Sequence, residues 1–346
     1  MRNCYFSKSY KDISSAGNKA KTDIEKIMAK NGFVNVGLSQ SIDKNKIIGF
    51  AKTFTSVLKI LFCLKKGDIL VVQYPFKKYY KTVCRIAHFR KSKVVTIIHD
   101  LGSFRRKKLS VKKEIQRLSY SDVIIAHNDN MKKWLIDNGC TRPITTLNIF
   151  DYLSENTAPI VDKVTMEEPY GITYGGALNY RKNKFLYEME PHLGAHKFYL
   201  YGGGFESDHI KNKDKFKYMG FVYFEDLIAD PKGNFGLVWD GESVESCQGT
   251  FGEYLQYNNP HKVSMYIRCH LPIIISDKAA LADFVVNNNI GIKIDSLKNI
   301  QERLAQISIE EYTTMKQNTI RISKQLANGY YFMNSYKDAQ NLLKQD

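Results

Sequence analysis

A polar, glycine-containing loop at residues 239–262 has the residue types best suited to chemistry. A short apolar strand, Phe235–Val238, precedes this loop, and Asn259-Pro260 closes it with residues that favour a helix start. Lys262 then falls in the first turn of a predicted helix, where free backbone amides and the helix dipole favour a negatively charged ligand. The arrangement predicts a diphosphate site at a strand end, although an ordinary helix start with a solvated lysine fits the same residues.

Other polar residues follow predicted strands in the same way. His99–Asp100 and His127 come after two apolar runs in the first half of the chain, and Gly175–Gly176 and Gly202–Gly204 follow two runs in the second half. The carboxyl ends of parallel strands meet at one edge of a sheet, where doubly wound proteins bind their ligands. We therefore expect these residues to lie around the predicted diphosphate site, although His127 fits a packed strand-end histidine equally well.

The elements that would position these residues alternate along the chain. Strand-like runs at 68–74, 93–100 and 121–127 are separated by helical patterns, and a second series begins near residue 171. Runs that are apolar throughout are typical of parallel strands covered by helices on both faces. The predicted fold class is α/β, with two Rossmann-like parallel-sheet domains facing a cleft. The expected domains are 1–155 and 169–325, with a linker near 153–168 and a terminal helix in 326–346 that crosses back to the first domain or joins two subunits.

Composition and charge limit the classes of function. The sequence shows no signal peptide and no run long enough to span a bilayer, so a cytoplasmic protein is expected. Its six cysteines lack CxxC spacing and favour reduced thiols over zinc or disulfides. Residues 1–152 contain 30 Lys and Arg against 11 Asp and Glu (+19), whereas the remainder contains 21 against 24 (−3). One intensely basic half indicates a polyanionic partner. Three kinds of partner fit: nucleic acid, an anionic membrane surface and a phosphorylated substrate.

The densest basic segment is 104–117. Apolar residues at Leu109, Val111, Ile115 and Leu118 suit a short amphipathic helix lying on a membrane surface, and a solvated charged helix explains them equally well. Nucleic acid is the less favoured partner, because the basic runs lack the interleaved aromatic residues of single-strand binders and the sequence shows no helix-turn-helix or finger spacing.

Five runs carry a resemblance to a known family: His99–Leu101, Asn148–Tyr152, Trp239–Glu245, Asn258–Lys262 and Asp277–Asp283. They are similar to those of the bacterial galactofuranosyltransferases of O-antigen assembly. A more distant likeness is to the glucosyltransferases that extend glycans on streptococcal serine-rich adhesins, and both groups are similar to the two-Rossmann glycosyltransferase architecture called GT-B. The resemblance implies a UDP-sugar donor bound mainly by the second domain and an acceptor bound by the first. It also implies no metal or other cofactor, because helix amides and basic side chains stabilise the departing diphosphate.

The resemblance also implies particular site residues. Lys262, Arg181 and the amides near His261 would hold the diphosphate, and the segment Tyr218–Val222 would hold the uracil. Gly17, in the turn after the first strand, would let the backbone approach the ligand closely. Each residue has an ordinary alternative as a solvated charge, a plain turn or a loop cap. The implied donor-site residues are Gly17, Gly176, Arg181, Phe221, Val222, Asp240, Asn259, His261, Lys262, Val263 and Ser264, with sugar contacts at Glu242 and Glu245.

An inverting reaction needs a general base that deprotonates the acceptor hydroxyl. Asp100 is the first candidate and His99 the second, although Asp100 suits a helix cap or an acceptor contact as well. The resulting prediction is a β-1,6-galactofuranosyltransferase-like enzyme that uses a UDP-sugar. Its acceptor would be a lipid-diphosphate-linked saccharide at the inner face of the cell membrane, in bacterial surface polysaccharide synthesis. The alternatives are a UDP-sugar epimerase of similar architecture and, less favoured, a basic nucleic-acid-binding protein; the linkage, the stereochemical course and a homo-oligomeric state stay open.

Overall fold

The computed structural model describes residues 1–10, 16–43, 45–76, 78–105, 109–160 and 169–345. Its contacts divide the chain into unit 1, which is Met1–Asp151 with Asn328–Asp346, and unit 2, which is Tyr152–Ala327. Three predicted segments are only partly covered. Residues 14–15 of the turn before Gly17, 106–108 of the basic segment and 161–168 of the expected linker lie outside the described residues.

Unit 1 is built on a parallel sheet. Its strands are β1 (Asn3–Tyr5), β2 (Ser9–Tyr10), β3 (Val34–Asn35), β4 (Ser41–Ile42), β5 (Ile69–Tyr74), β6 (Lys93–Ile98), β7 (Val123–Ala126) and β8 (Ile144–Thr146). Six of them form the main sheet in the order β3-β1-β5-β6-β7-β8, and β2 pairs separately with β4. The helices of the first 151 residues are α1 (Ala16–Lys30), α2 (Lys46–Cys63), α3 (Tyr80–Phe89), α4 (Gly102–Arg105), α5 (Val111–Leu118) and α6 (Asp129–Asp137).

Unit 2 contains a second parallel sheet. Its strands are β9 (Gly171–Gly175), β10 (Lys197–Tyr201), β11 (Phe216–Gly220), β12 (Phe235–Val238), β13 (Ile273–Ser276) and β14 (Gly291–Ile294). They run in the order β11-β10-β9-β12-β13-β14, so the winding reverses between β9 and β12. Ligands of doubly wound sheets bind at such a reversal. The helices are α7 (Phe185–Glu188), α8 (Phe224–Ala229), α9 (Gly249–Tyr254), α10 (His261–Arg268), α11 (Ala282–Asn287), α12 (Ile300–Ala305) and α13 (Ile309–Ala327).

The central strands are buried on both faces, as their uninterrupted apolar runs predict. In β6, for example, the residues on both sides of Thr96 lie in the core. The Thr96 hydroxyl itself is hydrogen-bonded to the Tyr80 hydroxyl at 2.8 Å and to the Ser121 hydroxyl at 2.6 Å, so its burial leaves no unsatisfied group. The predicted fold class, α/β with two Rossmann-like parallel-sheet domains, is confirmed.

The last helix, α14 (Tyr330–Leu343), packs against β7 and β8 of unit 1. The buried Asp151 carboxylate accepts hydrogen bonds from the amides of Tyr331 and Phe332, at 3.1 and 2.7 Å, and so caps the start of this helix. Farther along, the Tyr336 hydroxyl donates to Asn3 Oδ1 at 2.8 Å. Unit 1 is therefore completed by residues that follow unit 2 in the sequence.

Helix α5 uses its apolar face inside unit 1. Ile115 and Leu118 are buried, and Val111 packs against the same core. The expectation that these residues face a membrane is wrong, because their apolar surface is already covered by protein. Over the described part of the chain, no helix has both the length and the apolar character needed to cross a membrane.

Candidate active site

Tyr174, Asp240 and Lys262 form a compact polar cluster at the reversal of the unit 2 sheet. Tyr174 lies in β9, Asp240 follows β12 and Lys262 lies in the first turn of α10. Lys262 Nζ is 2.9 Å from Asp240 Oδ1 and 3.2 Å from the Tyr174 hydroxyl, which itself donates to Asp240 Oδ1 at 2.9 Å. We call these three residues the cationic cluster. It joins two of the predicted site residues, Asp240 and Lys262, through a tyrosine that the sequence did not single out.

The cationic cluster is half-enclosed but reachable. The Lys262 side chain is 13% exposed and that of Asp240 is 17% exposed. Lys262 Nζ also lies 4.3 Å from the centre of the Tyr174 ring, a cation–π contact. Burial and the neighbouring Asp240 carboxylate raise the pKa of Tyr174 well above its usual value, so its hydroxyl stays protonated and acts as a donor. An anion that reaches this pocket therefore meets a fixed lysine ammonium.

The start of α10 differs by one residue from the prediction. The helix begins at His261, and Pro260, in an extended conformation, occupies the N-cap position that was expected for Asn259. The prediction was wrong because a proline backbone is compatible with this extended position as well as with the first helical residue. Pro260 has no hydrogen-bonding side chain with which to cap the first turn, and its carbonyl accepts the Val263 amide at 3.0 Å. The predicted residues His261, Val263 and Ser264 all lie in this turn, and Asn259 is buried just before it.

The loops after β9 and β10 approach each other with little space between their backbones. At Gly202 (φ 141°), a Cβ atom would lie 1.8 Å from the carbonyl oxygen of Gly176, so only glycine fits there. Gly176 itself donates its amide to the Tyr201 carbonyl at 2.9 Å. Arg181, five residues after Gly176, is exposed on the same loop. Gly176 and Arg181 thus lie on the loop that follows the tyrosine strand β9.

Asn183 is a site residue that the sequence reading missed. Its buried side chain donates to the Ala177 carbonyl at 2.8 Å and accepts the Gly241 amide at 3.2 Å. The loop carrying Arg181 is thereby tied to the loop carrying Asp240. Gly241 has φ 118°, and a Cβ atom there would lie 2.2 Å from the Gln248 carbonyl oxygen. The signal in the sequence was an amide side chain at the end of a polar loop, a residue type that often bonds to the backbone.

The two predicted sugar-contact residues differ in their surroundings. Glu242 is exposed and lies beside Gly249, the first residue of α9, where a Cβ atom would be 3.0 Å from its carboxylate. Glu245 is 61% exposed and pairs with Lys298, whose hydrogen bond lowers the pKa of that carboxyl. The pairing with Lys298 favours the ordinary alternative for Glu245, a surface charge. Glu242 stays a candidate for sugar contact.

The predicted uracil segment forms β11 and the turn after it. Phe221, just beyond the strand end, is 64% exposed, and its ring contacts Tyr223 edge-on with centroids 6.2 Å apart. Val222, between them, is half-buried. The Tyr218 hydroxyl of β11 donates to the Gly202 carbonyl at 3.1 Å, which ties this segment to the glycine loop after β10. Two strand spacings, about 10 Å, separate β11 from β9, a span that an extended nucleoside diphosphate can bridge.

In unit 1, His99 is held by a chain of polar groups that leads from the half-buried Gln73 to the buried Glu25. His99 Nε2 is 2.7 Å from Gln73 Oε1, and the Gln73 amide nitrogen lies 3.2 Å from the Lys21 carbonyl and 3.4 Å from Glu25 Oε1. Because the Gln73 nitrogen donates to those two acceptors, its oxygen faces His99 and requires a proton on Nε2. The neutral His99 ring then presents Nδ1 as its proton-accepting nitrogen. Burial raises the pKa of Glu25 to about 7, and Tyr10 donates to its carboxylate at 2.5 Å.

The predicted base candidates His99 and Asp100 follow β6, and the loop after them is anchored by a buried acid. Glu114 accepts hydrogen bonds from the amides of Gly102 and Ser103 at 2.9 and 2.8 Å, and from the Tyr74 hydroxyl at 2.7 Å. Asp100 itself is half-buried. Glu114 and Gln73, which position this strand end, are not among the residues predicted from the sequence.

His127 belongs to the core. Its ring lies edge-to-face with the Phe150 ring, with centroids 4.9 Å apart. The Phe150 ring also stacks with the His99 ring, with centroids 5.3 Å apart. Burial lowers the pKa of His127 to about 3, so it is uncharged at neutral pH. These contacts favour the packed strand-end histidine over a functional one.

Gly17 lies in the first turn of α1, not in the turn before it. It is exposed, and apart from its chain neighbours and its own helix backbone no atom of the described residues lies within 4 Å of the place where a Cβ would be. The expected close approach of this backbone to a ligand stays a prediction. Among the residues that the structure describes, no group of three or more His, Cys, Asp or Glu side chains could hold a metal ion; independence from metal remains a prediction.

Comparisons with known proteins match nearly the whole chain. The model of the Glucosyltransferase 3-like N-terminal domain matches residues 3–149, and that of the Glucosyltransferase 3-like C-terminal domain matches residues 172–339. Beta-1,6-galactofuranosyltransferase WbbI of Escherichia coli (strain K12) is 33% identical over 339 residues, 97% of each chain. Glucosyltransferase 3 of Streptococcus gordonii is 23% identical over 77% of each chain. Among solved structures, T4 phage BGT with its UDP-glucose substrate aligns over 98% of this chain and 99% of its own, at 11% identity and a TM-score of 0.49.

The chain belongs to the glucosyltransferase 3-like family of glycosyltransferases. The predicted resemblance to the galactofuranosyltransferases is confirmed by the 33% identical relative, and so is the predicted class of enzyme. The two alternative classes, an epimerase and a nucleic-acid-binding protein, are not supported by these matches.

Proposed function

We propose that this glycosyltransferase transfers galactofuranose from UDP-galactofuranose to a saccharide acceptor in bacterial surface polysaccharide synthesis. The name of the 33% identical relative supports the choice of sugar. The observation that carries the donor assignment is the cationic cluster, because it puts a lysine ammonium and a helix start at the sheet reversal where doubly wound domains bind nucleotides.

The donor chemistry follows from the charge that develops on the leaving group. As the bond between the anomeric carbon and UDP breaks, negative charge grows on the diphosphate. Lys262, the amides of the first α10 turn and Arg181 supply positive charge and hydrogen-bond donors to that group. Asp240 accepts hydrogen bonds from hydroxyls of the donor sugar, and the exposed Phe221 ring stacks on the base. We propose that these groups take the place of a metal, so the reaction proceeds without one.

The acceptor chemistry needs one proton to be removed. The acceptor hydroxyl oxygen attacks the anomeric carbon, and a base takes the hydroxyl proton in the same step if configuration inverts. We place this role on Asp100 or on His99 Nδ1. Asp100→Asn and His99→Asn each remove one candidate, and the change that lowers kcat by about 100-fold or more with donor binding intact identifies the base.

The donor assignment is tested by calorimetric titration with UDP in the presence of EDTA, followed by transfer assays. We expect micromolar binding without metal, and transfer from UDP-galactofuranose that exceeds transfer from UDP-glucose. Preferred transfer from UDP-glucose would move the sugar assignment to glucose, the sugar in the name of the family model. Folded protein that does not bind UDP would refute the donor assignment.

We further propose that the acceptor is a lipid-diphosphate-linked saccharide, so that the enzyme works at an anionic membrane surface as a peripheral protein on the inner face of the cell membrane. The support is the charge of +19 carried by residues 1–152. Transfer to a lipid-diphosphate acceptor in vesicles should exceed transfer to the same saccharide free in solution. Whether the chain acts as a homo-oligomer is answered by light scattering of the purified protein.

A further inference from the structure

Helix α2 carries a row of large apolar side chains that face outward. Ile47 and Phe62, near its two ends, are 80% and 79% exposed. The spacing of the row follows the helical repeat, so its members lie along one side of the helix. Two of the rings, Phe50 and Phe54, are stacked with centroids 6.5 Å apart. The row, called the α2 ridge below, consists of Ile47, Ile48, Phe50, Phe54, Leu58 and Phe62, with exposures from 44% to 80%.

The α2 ridge is not needed to attach the helix to unit 1. The opposite side of α2 supplies Val57 and Ile60, which are almost fully buried in the core of the unit. On that side the Ser56 hydroxyl also donates to the Ser7 carbonyl at 2.8 Å. The helix therefore already has a packed face. Within the ridge, Phe50 and Phe54 also contact the Tyr79 ring, with centroids 6.2 and 6.3 Å apart, and the other members are additional apolar surface. Contiguous exposed apolar surface of this kind marks a binding site for a protein or a membrane.

The charges around the α2 ridge favour a membrane. Residues 46–93, which include α2 and α3, contain 12 Lys and Arg and one acidic residue, Asp68. That carboxylate is occupied by Arg2, with Nη2 2.5 Å from Oδ2. The cations Lys59, Lys65 and Lys78 are exposed around the helix. A second copy of the chain would bring the same positive charge to the contact, whereas an anionic bilayer offers both apolar depth and complementary charge.

We propose that the α2 ridge is the surface with which this protein docks on an anionic lipid bilayer. The ridge side chains enter the boundary between headgroups and acyl chains, and the surrounding lysines contact lipid phosphates. The proposal rests on the proposed membrane-held acceptor, and it assigns to α2 the role that the sequence alone suggested for α5. Helix α5 cannot supply apolar contacts, because Ile115 and Leu118 are buried in the core.

The test is sedimentation of the full chain with vesicles of 70:30 phosphatidylcholine and phosphatidylglycerol, against vesicles of phosphatidylcholine alone. We expect the wild type to bind the anionic vesicles at least tenfold more tightly. Ile48→Ser combined with Leu58→Ser should lower that binding by tenfold or more. These side chains are 47% and 44% exposed, so the melting temperature of the variant should match that of the wild type, which excludes misfolding as the cause.

The matched control combines Ile136→Ser and Ile309→Ser, two equally exposed apolar residues on other helices. Vesicle binding by this control should remain at the wild-type level. An equal loss in the control, or unchanged binding in the ridge variant, overturns the proposal. The proposal is also overturned if the double change Lys112→Gln and Lys113→Gln on α5 abolishes vesicle binding that the ridge variant retains.

Two further readouts separate this inference from the proposed function. Calorimetric UDP binding and transfer to a water-soluble acceptor should be unchanged in the Ile48→Ser, Leu58→Ser variant, since both changes lie on α2 and the donor residues lie in unit 2. Loss of UDP binding by the wild type would refute the function and leave the vesicle result standing. A wild-type dimer in light scattering that the ridge variant dissociates would assign the ridge to a second copy and overturn membrane docking.

Discussion

The ion pair between Lys262 and Asp240 makes a quantitative prediction for UDP binding. In the free protein, Lys262 Nζ is 2.9 Å from Asp240 Oδ1, so a diphosphate has to compete with a carboxylate for the same ammonium. A hydrogen bond to a charged group contributes about 2 kcal/mol, and a partly exposed ion pair about 1 kcal/mol. The net gain from Lys262 in wild-type protein is therefore about 1 kcal/mol, or about fivefold in Kd.

Removing the competing carboxylate should expose the full contribution of the lysine. Asp240→Asn should tighten UDP binding, since the ammonium is no longer paired and a negative charge has left the pocket. In that background Lys262→Ala should cost about 2 kcal/mol, or about 30-fold in Kd. The assay is a double-mutant cycle by calorimetry with UDP in EDTA, and the coupling between the two residues should be about 1 kcal/mol.

The control for this cycle is Lys298→Ala, which breaks the surface pair with Glu245 in the same unit and should leave UDP affinity unchanged. Our reasoning would be refuted if Lys262→Ala left Kd unchanged in both backgrounds. It would also fail if Asp240→Asn weakened UDP binding, because Asp240 would then be a ligand of UDP instead of a competitor for Lys262.

Three other changes test the roles that we assign to single side chains in unit 1. Gln73→Leu should lower kcat by about tenfold or more without changing the KM for the donor, because His99 loses the 2.7 Å hydrogen bond that orients it; unchanged kcat would contradict this. Asp151→Ala should lower the free energy of unfolding by about 1–2 kcal/mol, because α14 loses its cap, whereas Asp151→Asn keeps an acceptor and should cost less. Burial raises the pKa of Glu25 from 4.5 to about 7, so the folded chain retains a proton that the unfolded chain releases, and stability should fall as the pH rises through this window. Glu25→Gln should flatten that dependence in denaturant unfolding at pH 5 and pH 7.5, and an unaltered slope would contradict the assignment.

Much of the unit 2 site was accessible from the sequence because its residues lie at strand ends. Asp240 and Lys262 could each be chosen from the loop between β12 and α10. Their shared partner Tyr174 could not, because it lies 66 residues before Asp240 and the contact depends on β9 lying beside β12. Sequence pattern predicts that strands exist, whereas the order of strands decides which strand ends meet.

The errors in unit 1 have a different physical origin. An amphipathic pattern such as that of α5 is the same whether its apolar face meets a protein core or a membrane, so only the packing of Ile115 and Leu118 separates the two. Gln73 was overlooked because it lies within an otherwise apolar strand, where its side chain seemed incidental. A polar residue near the carboxyl end of a buried strand was the available signal, and its partners Glu25 and His99 are 48 and 26 residues away.

Because α14 packs against unit 1, the order in which the chain is synthesised affects how unit 1 folds on the ribosome. Residues 1–151 emerge first, but the helix that donates to Asn3 and is capped by Asp151 emerges only after all of unit 2. Nascent domains usually fold in the order of their synthesis. Here Tyr152–Ala327 has all of its own residues while unit 1 still lacks α14. The surface of β7 and β8 that this helix covers therefore stays exposed until the end of synthesis, although α6 already packs on both strands. Unit 1 is therefore the first unit to be translated and the last to have all of its residues.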